Sequence, residues 1–366
     1  MPSAATLRQE PAYGLRPLSD SQLTQCGNAL RPHWLGTVER PAMLSYATQV
    51  SSHWQLGLSA ARHGMPLVLA GLGQPRWPWY QGGRKKLPGS RRALQIIHQL
   101  WPQQPVISSD TGDLLIGNSL GRTHLATLAG LSDSARMFIA AECNSWPVCY
   151  RDAYAHDAEH HRCLAKHSAC YPNSGVLTAS ARTMLHFYDE WARVIIGSND
   201  LGKAERWNDQ AAVHRLFQNR SQYAAFRLKV DAANLFSLQL WKCEGALAKA
   251  SGKHFHYCHE RSFDPTAGLN TAADGTSVTY TDERGVEQKP FLVHSNGHHY
   301  VLSKEESHLR PLLELYAAVP PAELHRLLRH PVVLVDTAEH GPCNVTTLGW
   351  LMNATHSPEG APWLRL

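Results

Sequence analysis

Two aspartates three positions apart, Asp110 and Asp113, close the apolar run Val106-Ile107-Ser108-Ser109. A strand that delivers two carboxylates into a turn offers oxygen ligands to a hard divalent cation, Mg²⁺ or Mn²⁺. Such an ion shares its remaining positions with diphosphate oxygens, for example those of a nucleotide sugar. The competing reading is an Asx-type turn in which both aspartates accept backbone N–H groups. Three further segments bear on the choice. Asp209 opens a helical pattern with Val213, Leu216 and Phe217, which places its carboxylate at a helix N-terminus. The segment Cys170-Tyr171-Pro172-Asn173-Ser174-Gly175-Val176 reads as a tight polar turn. Phe291-Leu292-Val293-His294 reads as a strand ending in a histidine, a third metal ligand if it meets the aspartates.

The elements that position these groups alternate. Short apolar strands are expected at 34–38, 66–71, 106–109, 137–141, 225–230, 291–294 and 332–335. Helices are expected at 51–62, from Ser90 to about Leu100, through Met184, Phe187, Tyr188, Trp191 and Ile195, and at 320–329. Gly82-Gly83 reads as a loop, and the aromatic stripe at 184–195 as core. This pattern specifies a Rossmann-like α/β fold, a mainly parallel sheet with helices on both faces. In such sheets ligands bind beyond the carboxyl ends of the strands, where Asp110 and His294 fall. The expected organisation is an extended leader over 1–32, a main domain over 33–300 with a cysteine-rich insert at 143–170, and a C-terminal helical extension over 301–366.

Composition narrows the class. The chain is 43% hydrophobic and 18% charged, with a formal charge of +5. Its longest basic run is Arg84-Lys85-Lys86, which argues against nucleic acid as a partner. No window approaches the roughly 18 apolar residues of a membrane span, and the N-terminal stretch lacks the apolar core of a secretory signal. On that basis alone the chain reads as cytoplasmic. Its eight cysteines argue for an oxidising secretory lumen. Cys143, Cys149, Cys163 and Cys170 lie close together with His156, His160 and His161 among them, without a Cys-x-x-Cys pair. Disulfides, a zinc site and buried thiols are the three readings of that stretch.

Taken in order, the motifs resemble the glycosyltransferase domain of the multifunctional procollagen lysyl hydroxylases. The resemblance runs through Thr37-Val38-Glu39, Gly71-Leu72-Gly73, Gly82-Gly83-Arg84-Lys85 and Asp110-Thr111-Gly112-Asp113. It continues through Ala141-Glu142-Cys143-Asn144-Ser145-Trp146-Pro147, Pro172-Asn173-Ser174-Gly175, Asn208-Asp209-Gln210, Val230-Asp231 and His294-Ser295-Asn296-Gly297. It implies a GT-A fold, a UDP-sugar donor, and Mn²⁺ or Mg²⁺ held by Asp110, Asp113 and His294. Thr37, Val38, Lys85, Asp110, Gly112 and Asn296 match positions at the nucleotide and cofactor. Trp146, Asn173, Asp209 and again Asn296 match positions around the sugar or acceptor, where Asp209 orients the sugar or stabilises charge at its anomeric carbon. Gly112 stands where the family has tyrosine, Asn208 replaces one of several aspartates, and His298-His299-Tyr300 replaces the family's Pro-Thr-Lys. The expected activity is transfer of glucose or galactose to a hydroxyl on a protein side chain, glycan or small molecule. The rivals are a degenerate domain that binds nucleotide sugar or peptide without turnover, and a metal-dependent phosphoesterase.

Overall fold

The computed structural model describes residues 18–31, 40–47, 54–72, 82–111, 114–132, 134–197, 205, 208–219, 226–244, 250–252, 255–259, 262–272, 277–295, 319–337 and 341–353. Its centre is an eleven-stranded sheet. The strands are β1 (Ala42–Tyr46), β2 (Leu67–Ala70), β3 (Pro105–Ser109), β4 (Leu114–Ile116), β5 (Arg136–Glu142) and β6 (Tyr171–Ser180). They continue as β7 (Arg227–Asp231), β8 (Ser237–Gln239), β9 (Leu292–His294), β10 (Pro331–Thr337) and β11 (Gly341–Thr347). The order is β11-β10-β2-β1-β3-β6-β5-β8-β9-β4, with β7 also paired to β5. The pairs β10–β2, β2–β1, β1–β3, β5–β7, β5–β8 and β8–β9 are parallel. The pairs β10–β11, β3–β6, β6–β5 and β9–β4 are antiparallel. The protein is thus mixed α/β with a mostly parallel central sheet.

Strands buried on both faces explain why the apolar runs are continuous rather than alternating. Side chains alternate across the sheet with period two. Ala42, Leu44, Val68, Ala70, Val106, Val333 and Val335 enter one core with the helices Gly82–Leu100, Ala181–Gly197 and Asp209–Gln218. Met43, Leu67, Leu69, Ile107, Val332 and Leu334 enter a second core with Trp54–Arg62, Arg122–Ser132, Pro321–Leu328 and Leu348–Asn353. A third cluster, built on Leu115, Leu238, Val293, Cys143 and Phe263, covers the β4 end. The aromatic stripe is core, as its spacing implied: Met184, Phe187, Tyr188 and Trp191 are fully buried.

Four expectations need correction. The helix expected from Ser90 starts at Gly82 and runs through Pro88. Pro88 removes one helical hydrogen bond, but burial of Leu87, Ala93, Leu94, Ile96 and Ile97 along this helix holds it. A Cβ on Gly89 would stand 3.0 Å from the Tyr46 ring and 3.2 Å from Ala70 Cβ, so glycine there permits close docking on β1 and β2. The polar turn expected at 170–176 is part of the long strand β6. Its turn chemistry survives as an irregularity: Ile139 pairs Leu177 while Ala140 pairs Asn173. The leader is not wholly extended, because Asp20–Leu30 is a helix with a Ser19/Gln22 capping box and buries Cys26 and Leu30. The 301–366 segment is not only helical, since β10 joins the sheet beside β2. The strand expected at 34–38 and the tail after 357 lie outside the described residues.

The cysteine reading resolves to disulfides: Cys26–Cys343, Cys143–Cys243 and Cys163–Cys170. Cys149 is disulfide-bonded too, and no cysteine is free among the described residues. The zinc and free-thiol readings fall because Cys143, Cys149, Cys163 and Cys170 are all disulfide-bonded. No described helix is long and apolar enough to cross a membrane. Peptide mapping without reductant is expected to recover these three pairs. Replacing Cys26 and Cys343 by serine, which opens a loop with sequence separation 317, is expected to cost about 2–4 kcal/mol in denaturant unfolding. An unchanged midpoint would remove the staple between the first helix and β11.

Candidate functional site

Asp110 directly follows β3. Its N–H donates to Gly175 O at 2.9 Å, and its C=O accepts from Ser45 Oγ at 3.0 Å. These bonds fix the chain as it leaves the sheet between β1 and β6. Asp209 is the first residue of the helix Asp209–Gln218, but Asn208 is the cap, accepting Ala211 N–H at 2.9 Å. The Asp209 carboxylate divides its two oxygens: Oδ1 accepts the Gln210 N–H at 3.1 Å, and Oδ2 faces away from the helix. Lys86 Nζ lies 2.5 Å from Asp110 Oδ1 and 2.5 Å from Asp209 Oδ2.

The Lys86 ammonium and the Asp209 carboxylate stabilise each other's charged forms. Burial pushes the Asp209 carboxyl up, but the Lys86 ammonium outweighs it and holds the group below the usual carboxylate range. Burial lowers Lys86, and the two carboxylates reverse this and raise it above an ordinary lysine. His294 ends β9 and is buried. Its Nδ1 lies 2.6 Å from Gln239 Oε1, and Gln239 Nε2 donates to Ser237 Oγ at 2.7 Å. That orientation makes Nδ1 the donor and turns Nε2 towards Asp110 Oδ2, 3.8 Å away. A Cβ on Gly175 would stand 2.2 Å from His294 Cε1, so only glycine leaves room for the ring.

A second polar group adjoins the first. Gln210 Nε2 donates to Glu142 Oε1 at 2.5 Å and to Pro172 O at 2.6 Å. Its Oε1 accepts Ser174 N–H at 2.6 Å. Asn173 Oδ1 accepts Gly175 N–H at 2.7 Å, so this side chain shapes the β6 irregularity beside His294. Trp146 is half-buried on the segment that follows Glu142, ahead of a cis peptide bond to Pro147.

Of the residues singled out in the sequence, Asp110, Asp209 and His294 are brought together, with Asn173 alongside. Thr37, Val38, Gly112, Asp113 and Asn296 lie outside the described residues, as does the Lys85 side chain. Lys86 was not singled out. It lies in the basic run, but only a helix that begins at Gly82 turns it inward. Gln239 carried no signal of its own. Among the described residues, no three His, Cys, Asp or Glu side chains form a metal-holding group. Asp110 and His294, a carboxylate beside an imidazole whose ring is fixed by an amide, are of the donor types that divalent cations take. Comparison with protein-family models and with curated proteins finds no match.

The far end of the Asp209 helix docks on the cysteine-rich insert. His214 stacks on Tyr150 with centroids 4.3 Å apart and lies 3.1 Å from Tyr154 OH through Nδ1. Burial, then the neighbouring His160 and Arg215, lowers the His214 pKa from 6.5 to about 3. A folded-state pKa below the unfolded one means that the unfolded chain binds the extra proton. The His214 contribution is full above pH 6.5 and is lost as pH falls from 6.5 towards 3. Melting curves are expected to show a steeper loss of stability across that window in wild type than in His214→Phe, by up to about 1.4 kcal/mol per pH unit. Equal slopes would refute the assignment. Gly175→Ala is expected to displace His294, seen as a shifted imidazole resonance at little change in secondary structure.

Proposed function

We propose that the protein is a glycosyltransferase of GT-A type that moves glucose or galactose from a UDP-sugar to a hydroxyl acceptor, with Mn²⁺ or Mg²⁺. One observation carries the reading. Asp110, Asp209 and His294, three positions marked by the motif series, come from three distant segments yet share one cluster through Lys86 and the 3.8 Å His294–Asp110 approach. Both Asp110 and His294 stand at strand ends of an α/β sheet, where this architecture binds ligands.

In this reading Asp110 and His294, with Asp113, would hold the cation, and Gln239 fixes the His294 ring through Nδ1. The bound ion supplies neutralisation of the departing diphosphate. The bond between the anomeric carbon and the diphosphate oxygen breaks, a bond to the acceptor oxygen forms, and the acceptor hydroxyl's proton passes to the departing diphosphate. Asp209 stabilises positive charge at that carbon. Its helix cannot drift, because Gln210 is tied to Glu142 and to the β6 backbone. The acceptor is a protein side chain, a glycan or a small molecule, and the disulfides suit a secreted or lumenal setting.

A second reading, a degenerate domain that binds without turnover, draws on the ammonium already seated on both carboxylates. Donor hydrolysis over UDP-, GDP- and CMP-sugars with Mn²⁺ separates the two. Asp209→Asn is expected to lower turnover about a hundredfold or more, the scale for removing a preorganised charged group, with its circular dichroism unchanged. Turnover equal to wild type would strip Asp209 of its role. No turnover by wild type with any donor would favour the degenerate domain.

A further inference from the structure

The Lys86 ammonium contacts Asp110 and Asp209 at equal distances of 2.5 Å. The three side chains are only 14%, 28% and 9% exposed, so water screens this contact weakly. Asp110 uses Oδ1 for the lysine and presents Oδ2 to His294. A cation held by Asp110 and His294 therefore has to share one carboxylate with an ammonium. Two positive charges on one weakly screened carboxylate repel, and the lysine is the partner that can leave, because its stem has four rotatable bonds while His294 is locked by Gln239.

We propose that Lys86 is an internal counter-cation that closes the site in the metal-free protein and is displaced from Asp110 when a divalent cation binds. The proposal rests on the metal-dependent reading above. Asp209 keeps the released ammonium close, so the charge balance of the site is restored rather than rebuilt. Metal binding and lysine release are then one event. The apparent metal affinity is the intrinsic affinity reduced by the fraction of molecules in which Lys86 has left Asp110.

The test is Mn²⁺ binding to the full, oxidised chain, followed by calorimetry and by the loss of the free-ion paramagnetic resonance signal. Wild type is compared with Lys86→Met, Lys86→Arg and the charge-balanced Lys86→Met/Asp209→Asn double variant. If the lysine closes the site in about nine molecules of ten, Lys86→Met binds Mn²⁺ about tenfold more tightly. It should also melt lower than wild type without metal and recover more on adding Mn²⁺. Lys86→Arg, which keeps the charge, should bind like wild type or more weakly. The double variant serves if Lys86→Met fails to fold, and is likewise expected to bind more tightly than wild type. Unchanged or weaker Mn²⁺ binding in the variants that lack the ammonium overturns the proposal, as does absence of Mn²⁺ binding in every protein. Donor hydrolysis separates the two readings: turnover without competition sinks the lock alone, and competition without turnover by wild type sinks the transferase alone.

Discussion

Two ionised carboxylates from different elements repel when they are held side by side at low exposure, unless a cation lies between them or one takes up a proton. The Lys86 ammonium on Asp110 and Asp209 meets that constraint, and much of the local structure follows from it. Removing one member of such a group leaves an uncompensated buried charge, which costs far more than the intact group contributes. The lysine is carried by the Gly82–Leu100 helix, so that helix has to lie deep against β1 and β2. Gly89, one turn on from Lys86 on the same face, makes the depth attainable, because any larger residue would meet Tyr46 and Ala70. A glycine and a proline that look like helix breakers therefore sit in the helix on which the site depends.

That is also why the helix start was illegible. Gly82-Gly83 and Pro88 signal a loop by local propensity, while the burial of Leu87, Ala93, Leu94 and Ile97 that overrides them is a tertiary fact. The same override hid β6, where Pro172-Asn173-Ser174-Gly175 has the composition of a turn yet lies between β3 and β5. By contrast, Leu67–Ala70, Val106–Ser109 and Leu292–His294 were legible because a strand buried on both faces must be apolar throughout. Asp110, Asp209 and His294 were legible because each ends a strand or begins a helix. Lys86 and Gln239 were not, since their importance lies in what they touch. The glycosyltransferase reading came from the order of the motifs, which periodicity and spacing could not supply.

The disulfides act on the same problem from the other side. Cys143 immediately follows Glu142 and is bonded to Cys243, so the segment that bears the Gln210 partner is anchored covalently. Cys163–Cys170 closes the insert just ahead of β6. Tyr150 and Tyr154 of that insert clasp His214 near the end of the Asp209 helix. Tyr150 OH also donates to Glu205 at 2.7 Å, and Glu205 accepts from Arg215 at 2.9 Å. A buried neutral histidine among aromatic rings needs no counter-ion.

The Asp209 helix is therefore held at both ends by different physics. At its start, charge and directional hydrogen bonds fix Asp209 and Gln210 to α/β sheet elements. Further along, aromatic packing against a disulfide-closed insert fixes His214. A carboxylate on a freely moving helix would relax towards any charge that approached it, and its stabilisation of a transient positive charge would be partly spent on that movement. Held at both ends, Asp209 has little to relax, and a field that is already in place is what electrostatic catalysis requires. The element free to respond is then the lysine side chain, the one charged group of the cluster on a long flexible stem. On the proposed metal-dependent reading, rigid helices and one ammonium on a flexible stem would together let the site accept and release a cation without unfolding around it.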